Sequence, residues 1–145
     1  RASPEIVSRR VRAISFTADR IFQEILGDLV LTLTWDVEYA IKAHVGQKER
    51  IFEQLSGGEQ MAASIAVRLA LLLHMSDRNI RWLFLDEPTT NLDDKRRDQL
   101  ADRITRLEDL NQIFVITHDD AFDRETHHLI QLSKNNGVSV AKTIR

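Results

Sequence analysis

Two short stretches decide the fold of this chain: QLSGGE at Gln54–Glu59 and RWLFLDEP at Arg81–Pro88. The first is a polar turn with two glycines that opens a long apolar helix. The second is an apolar strand that ends in two adjacent carboxylates, Asp86 and Glu87. Because open α/β sheets bind their ligands at the carboxyl ends of their strands, this acid pair is well placed to act on a bound molecule.

The composition is that of a globular protein. The 145 residues suffice for one domain with a buried core, and 43% of them are hydrophobic and 29% charged. A formal charge of −2 gives no overall attraction to nucleic acid, so DNA contact would need a local patch or a partner. The absence of cysteine excludes disulfides and thiolate metal sites. No apolar run is long enough to predict a membrane span, and we expect that a chain starting at Arg1 is a fragment.

The N-terminal part predicts a helix over residues 4–26, which Ser3 can cap and Gly27 ends. Its apolar positions keep a strict heptad spacing instead of drifting with the 3.6-residue helical period. These positions are Val7, Val11, Ile14, Ala18, Ile21 and Ile25. Two interpretations remain open: an amphipathic helix on the domain surface, or the root of a coiled coil that continues before Arg1.

Residues 28–53 are expected to form an antiparallel scaffold. Alternation with period two predicts strands at 29–35 and 37–45, joined at Asp36, and an edge strand at 50–52. His44 is expected to face solvent, because no second metal ligand stands at a useful spacing. The cations Lys42, Lys48 and Arg50 are candidate DNA contacts, although solvated strand residues are the simpler interpretation.

The remainder predicts alternating helices and strands. A helix over 57–75 is apolar on nearly all sides, which indicates a buried helix in which Arg68 would need a partner. A continuous apolar run at 82–85 and a largely apolar stretch at 112–117 predict strands of a parallel sheet covered on both faces, with a helix over 93–110 between them. The charged opening of that helix, residues 94–98, is interpreted as a solvated face, and the chain closes with a hairpin around Asn136 and Gly137.

Each candidate motif has a structural explanation beside a chemical one. Ser56 with Glu59 three residues later is a capping box, but the same helix start can bind phosphate through its free N–H groups. Asp86 can hold Mg²⁺ and Glu87 can orient a water, but paired acids also form turns. His118, at the end of the second strand, can donate to a phosphate or can cap the turn that follows.

The order in which these motifs occur resembles the C-terminal lobe of ABC-type ATPases. Residues 55–59 resemble the signature motif of that class, 82–87 its Walker B strand, 91–93 its D-loop and His118 its switch histidine. The segment 88–93 and the helix at 57–75 resemble those of the Rad-fifty family, whose members are SMC-like ABC ATPases of DNA double-strand-break repair. Arg68 matches an arginine of that helix, whereas Gln60 stands where some archaeal members have a basic residue.

The resemblance implies an α/β fold: the C-terminal lobe of an ATPase head, with parallel strands and flanking helices, an antiparallel hairpin and a coiled-coil root at 1–27. It implies ATP and Mg²⁺ as cofactors. Glu87 and His118 would be catalytic, Glu87 by polarising the attacking water and His118 by contacting the γ-phosphate, and Asp86 would support the metal. The residues implied to bind ATP are Ser56, Gly57, Gly58, Glu59 and, across the dimer seam, Asp93.

None of the five glycines begins a G-x-x-x-x-G-K-[ST] phosphate loop, so the chain is expected to need an N-terminal P-loop lobe of the same protein. The resemblance further implies a second head that pairs in the presence of ATP, a break-repair nuclease subunit, DNA, no membrane, and a cytoplasmic location in a prokaryote or a nuclear one in a eukaryote. Two alternatives remain: the lobe of another SMC-like or transporter ABC ATPase, and a non-catalytic scaffold.

Overall fold

The computed structural model describes residues 4–75, 82–90, 92–107, 110–124 and 126–144. Its helices are α1 (Pro4–Leu26), α2 (Gly57–Met75) and α3 (Asp94–Thr105). Its strands are β1 (Leu31–Trp35), β2 (Ile41–Val45), β3 (Lys48–Ile51), β4 (Trp82–Asp86), β5 (Gln112–Ile116), β6 (Ile130–Asn135) and β7 (Val138–Thr143). This mixture of helices with parallel and antiparallel strands confirms the predicted α/β class.

The strands of the described chain form three separate sheets. β1, β2 and β3 make an antiparallel sheet in that order, β4 and β5 pair in parallel, and β6 and β7 form an antiparallel hairpin. The hydrophobic core lies between α1, α2, α3 and the inner faces of the first two sheets. None of the described helices combines the length and the apolar character that a membrane span requires.

Helix α1 supplies one wall of the core. Its heptad positions from Val11 to Ile25 are buried, and the helix packs against α2, β1 and α3, whereas Val7 near its start is 40% exposed. Gly27, with a φ of +65°, ends the helix as predicted. Within the described chain α1 is therefore an amphipathic helix of the domain, and its continuation as a coiled coil stays a prediction. The proposed Ser3 cap lies outside the described residues.

Polar side chains of α1 cover the free edge of β1. The N–H of Leu33 donates to Asp19 Oδ1 at 2.6 Å, and the N–H of Trp35 donates to Ser15 Oγ at 2.9 Å. These two groups lie at the edge of β1 away from β2 and would otherwise be left without a ladder partner. Ser15 and Asp19 are one helical turn apart, so a single stripe of α1 closes the edge of the sheet.

The antiparallel strands differ from the prediction at their starts. β1 begins at Leu31 and residues 36–40 form a turn instead of the start of β2, so these two strands are shorter, whereas the edge strand β3 begins two residues earlier than predicted, at Lys48. Asp36 holds this turn, because its Oδ1 accepts the N–H groups of Glu38 at 2.9 Å and Ala40 at 3.0 Å. A short acid at such a position competes with strand pairing, and this competition is why the alternating pattern over 37–40 was misleading. The other antiparallel prediction, the hairpin around Asn136 and Gly137, is confirmed.

The prediction that Arg68 is buried and needs an ionic partner is wrong. Helix α2 buries most of its central residues, but Arg68 is exposed to solvent. Leu71, Leu72 and Leu73 farther along the helix are only partly buried. The Arg68 guanidinium is therefore solvated, and α2 has a solvent-exposed position in the middle of an otherwise largely buried stretch.

The predicted parallel pair is present but is covered on one face only. β4 and β5 align with Asp86 opposite Ile116, and Leu83 and Leu85 point into the core. On the other face the apolar side chains are exposed, by 43–64% of their area: Trp82, Phe84, Phe114 and Ile116. The rings of Phe84 and Phe114 stack on that face with centroids 4.6 Å apart. The described residues thus leave uncovered a sheet face that the sequence predicted to be buried. The helix between the strands is also shorter than predicted and ends at Thr105.

Removal of the Asp19 carboxylate should destabilise the fold measurably. Asp19→Ala leaves the partly buried N–H of Leu33 without its acceptor, so we expect a loss of about 1–3 kcal/mol in the free energy of unfolding, measured by urea denaturation. The control is Glu24→Ala on the same helix, which removes only an exposed pair with Arg20 at 4.0 Å and should cost less than about 0.5 kcal/mol. Equal losses in both variants would contradict the role assigned to Asp19.

Candidate functional site

The carboxyl ends of β4 and β5 bring the two acids and the histidine to one edge of the sheet. The ladder continues one residue past β4, because the N–H of Glu87 donates to the carbonyl of Ile116 at 2.8 Å. This bond fixes Glu87 beside the segment that leads from β5 into His118. The structure therefore brings together Asp86, Glu87 and His118, as parallel pairing predicts.

Glu87 adopts an unusual backbone conformation at the point where the chain leaves the sheet. Its φ is +48°, a left-handed value that costs a non-glycine residue free energy, of the order of 1–3 kcal/mol. A turn follows at once, with the N–H of Thr90 bonded to the carbonyl of Glu87 at 3.2 Å. Such strain is retained where the surrounding structure enforces it, and functional sites are common places for it.

The Glu87 carboxylate is held by the residues after β5. His118 Nδ1 lies 2.9 Å from Glu87 Oε1, and the Thr117 hydroxyl lies 3.5 Å from Oε2. The hydrogen bond to Glu87, together with the negative charge of that carboxylate, raises the pKa of His118. The imidazole is otherwise exposed to solvent. His118 does not cap the following turn, because that cap is made by Asp119, whose side chain accepts the N–H of Ala121 at 3.1 Å.

Asp86 stands alone as a candidate metal ligand. It is exposed at the end of β4, and no three acidic or histidine side chains of the described residues converge on a metal position. A single exposed carboxylate fits Mg²⁺ that is held mainly by water and substrate phosphates, since that ion often takes only one or two protein ligands. It does not fit a metal bound by protein groups alone.

The predicted capping box at the start of α2 is confirmed. The N–H of Ser56 donates to Glu59 Oε2 at 2.7 Å, and the N–H of Glu59 donates to Ser56 Oγ at 3.3 Å. Arg50 of β3 pairs with the other oxygen, Glu59 Oε1, at 3.3 Å. Burial raises the pKa of Glu59, but the Ser56 hydrogen bonds and Arg50 together outweigh burial and lower it. The reciprocal hydrogen bonds and the ion pair with Arg50 thus hold Glu59 at the helix start, while Ser56 and Gly57 remain exposed.

The glycine turn packs against the segment before α3. A Cβ on Gly58 would lie 2.8 Å from an Arg96 guanidinium nitrogen and 3.1 Å from Leu92 Cδ2, so a side chain there requires both neighbours to move. Asp93 caps α3, since its carboxylate accepts the N–H of Arg96 at 2.9 Å. Asn91, the first residue of the predicted D-loop, lies outside the described residues. The predicted site residues therefore form two groups, at 56–59 and at 86–87 with 118, and the first turn of α3 adjoins the first group.

Arg97 is a site residue that the sequence analysis missed. Its guanidinium contacts both the segment before α3 and Asp119, next to His118. The sequence places Arg97 in a solvated charged turn, because six charged residues in a row, at 93–98, give no sign of which one is turned inward. Only the fold, which places the start of α3 beside the end of β5, identifies it.

Comparison with known proteins matches the sequence of this chain to a protein family. A family model described as the RecF/RecN/SMC N terminal domain matches residues 12–140. The chain is 43% identical over 89 residues to the DNA double-strand break repair Rad50 ATPase of Thermococcus kodakarensis, a match that covers 61% of this chain and 10% of that protein. The identity is 30% over 105 residues to the protein of the same name from Methanocaldococcus jannaschii, covering 72% and 10%. The chain thus spans about a tenth of the length of these curated relatives.

Solved structures share the fold. A chain solved in work on ATP-driven dimerization and DNA-stimulated activation of SMC ATPases superposes with a TM-score of 0.81 at 23% identity, covering 99% of this chain and 90% of that one. The Smc head domain of Pyrococcus yayanosii, solved with a coiled coil and joint, gives a TM-score of 0.77 at 22% identity, covering 94% of this chain and 28% of that one. At this level of identity the likeness shows the fold.

The contact between Glu87 and His118 can be tested by titration. Glu87→Gln removes the negative charge that favours the imidazolium, so the pKa of His118, followed by NMR of the imidazole ring, should fall toward its ordinary value of 6.5. Because the raised pKa belongs to the folded state, this contact stabilises the fold at low pH, and the contribution is lost as pH rises through the raised pKa. Glu53→Gln, in the turn before α2, is the control and should leave the pKa of His118 unchanged. An unchanged pKa in Glu87→Gln would contradict the contact.

Proposed function

The chain belongs to the RecF/RecN/SMC N-terminal-domain family, and we propose that it is the C-terminal lobe of the ATPase head of a DNA double-strand-break repair protein. In this role it supplies the signature turn, the strand-end acids, Asp93 and His118 to an N-terminal lobe that carries the P-loop. The completed head binds ATP with Mg²⁺, pairs with a second head around the nucleotide, and hydrolyses it.

The uncovered face of the β4–β5 sheet is the observation that carries this proposal. Parallel sheets are normally buried on both faces, and a pair of strands with one covered face is a poor structure by itself. Four large apolar side chains, Trp82, Phe84, Phe114 and Ile116, nevertheless point outward. An N-terminal lobe that packs on this face would bury them and complete the sheet, as the missing P-loop also requires.

The same face leads directly to the candidate metal ligand. Asp86 follows Trp82 and Phe84 on the outward side of β4 and lies opposite Ile116 of β5. A lobe that covers this face therefore brings its own phosphate-binding loop to the end where the Asp86 carboxylate is exposed. Asp86 would then complete the ligands of a Mg²⁺ ion that arrives with ATP, and the ion would neutralise charge on the phosphates.

Glu87 is proposed as the base and His118 as a phosphate contact. The Glu87 backbone conformation and its bond to His118 fix the carboxylate just beyond the metal ligand, where it can accept a proton from an attacking water. The raised pKa of His118 favours the imidazolium, whose second ring nitrogen can donate to a γ-phosphate oxygen. The two residues thus divide the work of activating water and stabilising the phosphate.

Ser56, Gly57 and Gly58 are proposed to meet the γ-phosphate held by the opposite head. They stand at the N-terminus of α2, a 19-residue helix whose dipole favours an anion at that end. Ser56 Oγ accepts the N–H of Glu59, which leaves the hydroxyl hydrogen available to a phosphate oxygen. Glu59 orients Ser56 by accepting its backbone N–H. Asp93 would act at the same contact between the two heads.

A nuclease subunit and DNA are proposed as further partners from the relatives named as double-strand break repair proteins. This role places the protein with the DNA, in the cytoplasm of a prokaryote or in the nucleus of a eukaryote. Two of the candidate DNA contacts are already paired within the chain, Lys42 with Glu49 at 3.4 Å and Arg50 with Glu59 at 3.3 Å. These two cations are therefore assigned to the scaffold.

The proposal is tested by mixing the chain with the P-loop-bearing lobe of the same protein and measuring ATP hydrolysis. The wild-type mixture should hydrolyse ATP. Glu87→Gln should bind the lobe and ATP but slow turnover by about 10²–10⁴-fold, because the base is lost.

Phe84→Glu should prevent association of the two lobes, because it places a charge in the centre of the apolar face. Its matched control is Val138→Glu at an exposed position of β7, which should still associate. Full turnover in Glu87→Gln, or undisturbed association in Phe84→Glu, would refute the assignment.

Head pairing is tested separately at the signature turn. Ser56→Arg adds bulk and a guanidinium where the opposite head must approach, so it should abolish the ATP-dependent dimer in sedimentation velocity. Association between the two lobes should persist, because Ser56 lies in a different part of the domain from the β4–β5 face. The exposed Glu53→Arg, three residues earlier in the chain, is the control and should still dimerise. A normal ATP-dependent dimer of Ser56→Arg would count against the signature role.

A further inference from the structure

Arg97 connects two segments that lie far apart in the sequence. Its Nε lies 3.0 Å from the carbonyl oxygen of Leu92 and 3.2 Å from Asp119 Oδ2. One of its terminal nitrogens also lies 3.4 Å from Asp94 Oδ1. Leu92 immediately precedes Asp93, and Asp119 immediately follows His118, so one guanidinium joins the Asp93 segment to the His118 turn.

The pairing with Asp119 is shielded from solvent. The Asp119 side chain is only 11% exposed, against 98% for the Asp94 side chain that Arg97 also touches. Charge-assisted contacts to a shielded carboxylate are stronger than those of exposed pairs, and a buried carboxylate without a partner is costly. The contact with Asp119 is thus the structural one, and the contact with Asp94 adds little.

Asp119 is in turn connected to the ends of β4 and β5 through Thr117. Its N–H donates to Thr117 Oγ1 at 3.0 Å, and the same hydroxyl lies 3.5 Å from Glu87 Oε2. The Asp119 carboxylate also caps the short turn at Asp120–Phe122. A continuous series of polar contacts therefore runs from the Leu92 carbonyl through Arg97, Asp119 and Thr117 to Glu87.

We propose that Arg97 is a positioning residue that sets the distance between the Asp93 segment and the His118 turn. Its effect on hydrolysis rests on the proposed function, because only a bound nucleotide requires Asp93, Glu87 and His118 to keep fixed positions relative to one another. Arg97 itself touches no reacting atom in this scheme. Small errors in the placement of catalytic groups lower rates strongly, so the loss of Arg97 acts on turnover more than on ATP affinity.

The geometry requires an arginine at this position. The Leu92 carbonyl and the Asp119 carboxylate both approach Nε, within the Arg97 side chain, where lysine has a methylene carbon, so the terminal ammonium of lysine cannot take the same position. Arg106, which follows the last residue of α3, offers the contrast: within the part of the chain that the structure describes, its side chain bonds only to Asp102, one helical turn earlier.

The test uses the two-lobe head with Arg97→Gln and, as matched control, Arg106→Gln. Arg97→Gln should lower kcat for ATP hydrolysis about tenfold while KM changes less than twofold. Arg97→Lys should restore part of kcat. Asp119→Asn, which keeps an oxygen for the cap but loses the charge, should reproduce the Arg97→Gln defect, and the double variant should be no worse than either single one. Arg106→Gln should behave as wild type.

Hydrogen exchange of the same complexes without ATP gives a readout that does not depend on turnover. In Arg97→Gln the segments 89–93 and 117–123 should both exchange faster, and in Arg106→Gln neither should. Failure of the wild-type head to hydrolyse ATP would refute the proposed function, while the exchange data would still decide whether Arg97 joins the segments. Wild-type kcat in Arg97→Gln, faster exchange in only one segment, or an equal kcat defect in Arg106→Gln would overturn the role of Arg97.

Discussion

The parallel register of β4 and β5 is the constraint on which the candidate site depends. Asp86 lies opposite Ile116, and the Glu87 N–H extends the ladder to the Ile116 carbonyl. A slip of one residue would turn Leu83 and Leu85 out of the core and would separate Glu87 from His118. Burial of the inner face therefore selects the register, and the register in turn aligns the acid pair with the histidine.

The same sheet explains the largest error of the sequence analysis. Apolar residues at every position of 82–85 and 113–116 correctly indicated strands that are suited to burial on both faces. A sequence pattern records the environment that a strand requires, but it does not say which chain provides it. The described residues cover one face with helices and leave Phe84 and Phe114 stacked in the open on the other.

Local signals predicted the local structure well. The heptad spacing and glycine stop gave α1, the serine and glutamate gave the capping box, and the order of motifs gave the Rad50/SMC-like resemblance, which the family match confirms. Features that depend on tertiary contacts were not predicted correctly. The exposed Arg68 and the contact of Arg97 with Asp119 depend on neighbours that lie far away in the sequence, so composition and periodicity could not identify them. The turn at 36–40 is local, because the Asp36 carboxylate makes it, but the alternating pattern concealed it. The roles assigned to the site residues stay predictions.

The first turn of α3 gives these separate features a common anchor. Asp93 caps it, Arg96 lies against Gly58 of the glycine turn, and Arg97 reaches Asp119 beside His118. Successive residues of one helix cannot move independently, because backbone hydrogen bonds fix their spacing. Any displacement of this helical turn must therefore act on the glycine turn, the Asp93 segment and the histidine together. The absence of a side chain at Gly58 permits the close contact with Leu92 and Arg96 on which this coupling depends.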